Sequence, residues 1–112
     1  MLRIVFRKIK PGKEEQLRDW LGELMQRQDE VRETFVQESV RHEKAFIIPG
    51  SNDPVLVYAM EIGDPEQARR AFETSTLPID TEHKKVMKET LGDAIEVDTV
   101  YDCAILPEGP AA

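Results

Sequence analysis

The sequence predicts a single α+β domain whose elements follow the order β-α-β-β-α-β. Four short runs are rich in β-branched and aromatic residues and are bounded by turn-forming residues, which is typical of strands. Between the first two runs, apolar residues recur every three or four positions, which indicates a helix with one buried side. The 112 residues fit one domain, since domains commonly contain about 100 to 150 residues. We assign residues 1–106 to this domain and residues 107–112 to a flexible C-terminal tail.

The composition and charge disfavour two classes of partner. The formal net charge is −7, with 22 acidic and 15 basic residues, and a surface of that sign repels nucleic-acid phosphates and anionic lipids. The first apolar run contains Arg3 and Arg7 and has no small-residue cleavage site, so it resembles neither a signal peptide nor a membrane span. We therefore expect a cytoplasmic protein that binds neither nucleic acid nor membranes.

A strand and a long helix open the chain. The strand, Leu2–Ile9, is closed by a turn at Pro11 and Gly12. A helix is predicted from residue 13 to about residue 34. Its buried side is formed by Leu17, Trp20, Leu21, Leu24, Met25, Val31 and Phe35.

Three further strands are predicted, at Val40–Ile48, at Val55–Ile62 and at residues 95–106. The first two flank residues 49–54, which are almost all turn formers, so they should form a hairpin.

Two short helices are predicted between the hairpin and the last strand. Asp64 and Pro65 have the sequence of an N-cap followed by the first helical residue. The second helix runs from Asp80, which we interpret as its N-cap rather than as an acid catalyst, to Gly92. The spacing of its apolar residues places His83 on the inward side.

The predicted antiparallel sheet, with helices on one face, carries apolar side chains on both faces. In the third strand Val57 and Ala59 point to one face, while Leu56 and Tyr58 point to the other. A face without helices needs another cover, and a second copy of the chain is the simplest one. We expect a homodimer formed through the helix-free face of the sheet.

With this element order, its long first helix and the extra helical turn before the last strand, the chain resembles the dimeric α/β-barrel branch of the ferredoxin-like fold over about residues 2–106. Within that branch it is similar to small uncharacterised bacterial proteins. The resemblance implies a ferredoxin-like βαββαβ domain with its site between sheet and helices. Members of the branch include cofactor-free monooxygenases, haem-degrading enzymes, chlorite dismutases and lactone isomerases. The Asn, Trp and His set of antibiotic-type monooxygenases is not evident, because Asn52 is the only asparagine and lies in the predicted hairpin loop.

His83 and Glu43 are the candidate catalytic residues. An inward imidazole with an ordinary pKa near neutrality can act as a base. Glu43 shares a strand face with Arg41 and Ala45, and it would orient His83 or bind substrate. The alternative for His83 is a hydrogen-bonded core histidine. His42 points to the face opposite Glu43 and is interpreted as structural or exposed.

Tyr58, Trp20 and Arg3 are the candidate substrate-binding residues. Tyr58 and Trp20 have amphipathic rings that suit a pocket wall, although Trp20 also fits the core. Arg3 is a charge among apolar neighbours on a strand face, and Asp98 and Asp102 are placed in the same way in the last predicted strand. Such charges either bind a polar substrate or form an ion-pair network across the dimer, and both interpretations stay open.

The sequence contains no metal or cofactor motif. No two candidate ligands have the spacing of HxxxH or CxxC, and there is no GxGxxG, P-loop or GxSxG. We therefore predict neither a metal site nor a cofactor. The single cysteine, Cys103, lies in the last predicted strand and is expected to be buried and inert.

Two functions fit these observations. In the first, each subunit of a homodimer binds a small organic molecule, with proton-transfer or monooxygenase-type chemistry that needs no cofactor. In the second, the protein is a non-catalytic dimerisation or ligand-sensing module, and the charges only set the register of the interface.

Overall fold

The computed structural model describes residues 1–50 and 53–106. The elements are β1 (Leu2–Ile9), α1 (Glu14–Gln26), α2 (Gln28–Glu38), β2 (Val40–Ile48), β3 (Val55–Ile62), α3 (Pro65–Thr74), α4 (Pro78–Thr90) and β4 (Leu91–Ala94). The strands form one antiparallel sheet in the order β2-β3-β1-β4, which is compatible with a ferredoxin-like fold. The predicted α+β class is confirmed. The predicted tail and Asn52 lie outside the described residues.

The register of the sheet separates two faces. On the helix-covered face, Val5 and Ala45 are both paired with Tyr58, and Leu56 is fully buried. None of the four described helices lies against the other face, and we call it the open face. It carries Leu2, Ile4, Phe6, Lys8, His42, Lys44, Phe46, Ile48, Val55, Val57, Ala59 and Glu61. The predicted apolar character of both faces is therefore confirmed, as are the first three strands and the hairpin pairing.

The single long helix predicted over residues 13–34 is wrong, because the chain forms two helices that meet at Arg27. Arg27 has φ −119° and ψ 39°, and its N–H bonds to the carbonyl of Leu24 instead of continuing the helix. Its guanidinium bonds forward to Glu30 and across to Glu82 of α4, at 2.7 Å each. The pair with Glu82 joins residues far apart in the sequence, and an apolar repeat that continues through the break gives no sign of it.

The start of α4 also differs from the prediction. The helix begins at Pro78 and its N-cap position is Leu77, so Asp80 lies inside the first turn and is buried. Proline fits the first helical position because its fixed φ suits the helix and its missing N–H needs no partner. The N-cap predicted at Asp64 is confirmed, since its carboxylate accepts the backbone N–H groups of Glu66 and Gln67.

The last predicted strand is wrong in both position and length. β4 comprises only Leu91–Ala94, and residues 95–106 have no regular secondary structure. The side chain of Arg7 donates to the carbonyl of Gly92 at 2.7 and 3.0 Å, and the ladder with β1 ends beside this contact. Asp98 and Asp102 therefore lie off the sheet, and Cys103 is exposed rather than buried.

Candidate functional site

A cavity of about 550 Å³ lies between the helix-covered face and helices α2, α3 and α4. Its size is that of a site for a small molecule. Much of its wall is apolar, with Val5 and Met60 from the sheet and Phe35, Phe72 and Ile79 from the helices. The polar groups that reach it are few, and each can be traced to the element that positions it.

Glu43 reaches the cavity from β2. It is paired with Met60 across the ladder, so strand alternation turns its side chain towards the helices. Burial is the largest cause of a pKa raised to about 7, and the negative charge of Asp80 adds to it. Glu43 therefore gains and loses its proton near neutral pH, whereas most carboxyl groups are fully ionised at that pH.

The Tyr58 hydroxyl lies close enough to Glu43 for the two groups to shift each other's pKa, but it forms no well-aligned hydrogen bond with it. Burial, followed by the charge of Glu43, raises the pKa of Tyr58, so the hydroxyl stays protonated. Each group shifts the pKa of the other, yet the geometry falls short of a hydrogen bond, and the buried oxygen has no partner among the described residues. An unsatisfied buried hydroxyl beside a cavity is available to a ligand.

His83 is fixed in one tautomer by Trp20. The indole Nε1–H donates to His83 Nδ1 at 2.9 Å, so Nδ1 carries no proton and neutral His83 carries its proton on Nε2. Burial lowers the pKa of His83 to about 4, against a small opposing effect of Asp80. The ring stands nearly perpendicular to those of Tyr58 and Phe72, at centroid distances of 6.2 and 6.1 Å. His83 therefore presents a neutral hydrogen-bond donor.

Asp80 is held by two hydroxyl groups. Thr34 Oγ1 of α2 donates to its carboxylate at 2.6 Å, and Ser75 Oγ donates at 2.5 Å from the loop before α4. Hydrogen bonds to a carboxylate oxygen satisfy a charge that would be costly to bury alone. Asp80 therefore ties α2 to the start of α4 at the cavity wall.

Glu38 is a cavity residue that the sequence interpretation missed. It is the last residue of α2 and is buried, and burial together with the charges of Asp80 and Glu43 raises its pKa to about 7. The sequence does contain a signal for Glu38 as a cavity residue: it lies four residues after Thr34, on the side of the helix that faces the sheet. Because the predicted helix stopped near Thr34, Glu38 was not placed on any face.

The basic side chains that line the cavity have other contacts or are exposed. Arg7 donates to Gly92, and Arg69 pairs with Glu66 and Glu73 on its own helix. Lys84 Nζ lies 4.8 Å from the centroid of the Phe72 ring. Arg3 is exposed at the cavity margin.

The structure brings most of the predicted site residues together. Glu43, His83, Tyr58 and Arg3 all line the cavity. Trp20 does not line it, but lies behind His83 and orients it. Arg41, Asp98 and Asp102 are exposed and are not part of the wall. His42 pairs with Glu61 on the open face, as its alternation with Glu43 predicted.

Within residues 1–50 and 53–106, no group of three His, Cys, Asp or Glu side chains is arranged to hold a metal ion. None of the helices in these ranges has the length and apolar content needed to cross a bilayer.

A protein-family model matches residues 2–108, which is almost the whole sequence. The chain belongs to the DUF6176 family. The description of DUF6176 is a family of unknown function, so it assigns no chemistry to the cavity. No curated protein and no solved structure matches the chain.

Proposed function

We propose that this DUF6176 protein binds a small organic carbonyl compound in the cavity and catalyses proton transfer at the carbon next to the carbonyl. The observation that supports this is that one cavity is lined by Glu43, a carboxyl group with a pKa of about 7, and by two hydrogen-bond donors, Tyr58 and His83. A base and an oxyanion-binding pair are the two parts that such a reaction needs.

Glu43 is the base in this proposal. Its carboxylate takes the proton as the C–H bond breaks, and the electron pair of that bond moves onto the carbonyl oxygen to give an enolate. The Tyr58 hydroxyl and the Nε2–H of His83 donate hydrogen bonds to that oxygen, where the negative charge develops. Return of the proton from Glu43 to the same carbon or to a conjugated carbon completes an exchange or an isomerisation.

The sequence interpretation had given the base role to His83 and the orienting role to Glu43. The geometry favours the reverse, because Nδ1 of His83 is occupied by the Trp20 N–H and its Nε2 carries the proton. A pKa of about 4 also makes the imidazole a poor proton acceptor at neutral pH. Arg3, at the exposed margin, would bind a polar group at the outer end of the substrate.

The proposal includes a homodimer that pairs the open faces of two copies. Leu2, Ile4, Phe46 and Ile48 on this face are 47–63% exposed in the single chain. Leu2 and Ile4 lie on β1 and Phe46 and Ile48 on β2, with Val57 and Ala59 of β3 between the two pairs. The open face thus carries apolar side chains across three strands, and such surfaces mark interaction sites. The cavity lies on the other face of the sheet, so each copy keeps its own site.

The test is exchange of α-carbon hydrogen for deuterium in a panel of ketones: cyclohexanone, acetophenone and 2-tetralone, followed by proton NMR in D₂O. We expect exchange of at least one ketone by the unaltered protein. Glu43→Gln should slow it by about 100-fold or more, and Tyr58→Phe by about 10-fold to 100-fold. The matched control is Glu61→Gln, since Glu61 is exposed and lies on the open face of β3.

Two results would contradict the proposal. A ketone that raises the melting temperature of the protein is thereby shown to bind. If that ketone exchanged equally slowly with and without the protein, the result would contradict catalysis and favour a ligand-sensing module. Exchange that survives Glu43→Gln unchanged would remove Glu43 as the base.

A further inference from the structure

The C-terminal arm, which we define as residues 95–106, leaves its own sheet almost at once. The amide of Ile95 donates to the carbonyl of Phe6 at 2.8 Å, and the described structure gives no hydrogen bond to residues 96–106. Val100 is 92% exposed, Tyr101 83% and Ile105 101%. An arm with this much exposed apolar surface is left uncovered by residues 1–50 and 53–94.

The arm nevertheless has the sequence of a strand. Ile95, Val97, Tyr101, Cys103 and Ile105 alternate with other residues, and its content of β-branched and aromatic residues favours extended backbone. The β1–β4 ladder stops at Arg7 and Ala94. From Leu2 to Val5, the outer edge of β1 therefore has no paired strand in the part of the chain that the structure describes. A strand-forming segment and an open sheet edge occur in the same molecule without meeting.

The charges of the arm and of the open face are complementary. The arm contains three acidic residues, Glu96, Asp98 and Asp102, and no basic residue. The open face carries two exposed cations, Lys8 and Lys44, against one exposed acid, Glu61, in a chain whose net charge is −7. Lys44 Nζ lies 6.0 Å from the ring of Phe46, so this cation stands within the apolar surface. Opposite charges of this kind guide association and fix its register.

We propose that the arm of each copy crosses to a second copy of this chain and lies against the open face of its sheet. The exposed apolar residues of the arm, Val97, Val100, Tyr101 and Ile105, then lie between the two paired sheets, in contact with Ile4 and Phe46 of the partner. The acidic residues approach Lys8 and Lys44, and the exchange is reciprocal, as two-fold symmetry requires. This proposal rests on the homodimer proposed above and adds the segment that holds it together.

The arm is well suited to substitution, because it makes so few contacts within its own chain. The first variant is Asp98→Lys with Asp102→Lys. The second is Lys8→Glu with Lys44→Glu, and the third combines all four substitutions. Glu33→Lys is the matched control, since Glu33 is an exposed acidic residue of α2 with no ion pair in the described structure.

Sedimentation velocity over a dilution series gives the dimer dissociation constant of each variant. We expect the arm variant and the face variant each to raise this constant by about 100-fold, since like charges then oppose each other. The combined variant should recover most of the affinity, and the control should match the unaltered protein. A spin label on Cys103, the only cysteine, should be immobile in the unaltered dimer and mobile in the arm variant.

The outcomes separate this inference from the proposals on which it rests. A dimer that neither arm nor face charges affect, with a mobile label at Cys103, would overturn the arm contact and leave the paired sheets in place. A monomer at all concentrations would overturn both the arm contact and the homodimer. Neither result would affect the ketone exchange assigned to the cavity, which is measured separately.

Discussion

At the scale of single residues, the burial of the Glu43 carboxyl group in the cavity reduces the stability of the folded protein at neutral pH. Its pKa rises from 4.5 to about 7, mainly because burial disfavours the charged form. The folded chain therefore binds this proton more tightly than the unfolded chain does. Its contribution to the free energy of unfolding falls as pH rises from about 4.5 to about 7 and is constant above that range.

Glu43→Gln should therefore stabilise the protein at pH 8 while it slows ketone exchange. We expect the free energy of unfolding at pH 8 to rise by roughly 1 to 3 kcal/mol, because each pKa unit corresponds to about 1.4 kcal/mol. At pH 4, where the carboxyl group is protonated in both states, the gain should vanish. Urea denaturation at the two pH values measures it, with Glu61→Gln as the exposed control. An equal gain at both pH values would mean that ionisation of Glu43 is not its cause.

His83 contributes with the opposite sign. Its pKa falls from 6.5 to about 4, so the unfolded chain binds its proton more readily than the folded chain between those values. Stability from His83 is lost as pH falls from about 6.5 to about 4. In the unaltered protein, the contribution of His83 to stability therefore increases with pH. The contributions of Glu38 and Glu43 decrease with pH.

Some site residues could be predicted from the sequence because strand alternation alone decides where they point. Glu43, Tyr58 and Arg3 belong to this group, and all three line the cavity. The Trp20–His83 hydrogen bond could not be predicted, since its partners are 63 positions apart and meet only through the packing of α1 on α4. Without that contact, the protonated nitrogen of His83 cannot be assigned.

At the scale of elements, Ser39 joins the end of α2 to the start of α3. It ends α2 with φ 52°, a left-handed conformation that residues with a side chain rarely adopt. Its hydroxyl accepts the N–H of Asp64 at 2.8 Å, and its carbonyl accepts the N–H of Gly63 at 2.8 Å. Glu38, one residue earlier, is thereby held at the cavity wall.

Ser39→Ala and Ser39→Gly should separate the hydroxyl from the backbone conformation. Alanine loses the hydrogen bond to Asp64 and keeps the strained φ, so we expect a loss of about 1 kcal/mol in the free energy of unfolding. Glycine loses the same bond but adopts this φ without strain, and it should recover about 0.5 to 1 kcal/mol of that loss. Thermal and urea denaturation of the three proteins measure both differences. If alanine and glycine have equal stability, the left-handed conformation costs nothing here.

Predictions of elements succeeded where the deciding interaction is local. The Asp64 cap and the hairpin follow from residues next to each other in the chain. At the break, Arg27 pairs with Glu82, which is 55 residues away and cannot be identified from the local sequence. The last predicted strand failed for a related reason: alternation at residues 95–106 indicates a strand, but does not indicate which sheet edge it pairs with.

At the scale of the whole molecule, the two faces of the sheet have separate tasks. The helix-covered face encloses the cavity and its ionisable groups, while the open face leaves an apolar surface unburied. The core between the helix-covered face and the helices is small: Ile9, Leu17, Leu56 and Leu91 form its buried cluster. A domain of this size gains stability when a partner buries further apolar surface. Folding and association should therefore be coupled.

Phe46→Ser tests this coupling through the melting temperature. Binding between folded copies stabilises them by mass action, so the melting temperature of the unaltered protein should rise with protein concentration. Phe46 is 50% exposed in the single chain, on the open face. The serine variant should therefore have a melting temperature that is nearly independent of concentration, and at high dilution the two proteins should differ by only a few degrees. The matched control is Val36→Ser on the helical side, where Val36 is 80% exposed. Calorimetry at about 5 and 500 μM measures these temperatures over a range that distinguishes weak from tight dimers. If the unaltered protein melted at the same temperature at both concentrations, the paired-sheet proposal would be contradicted.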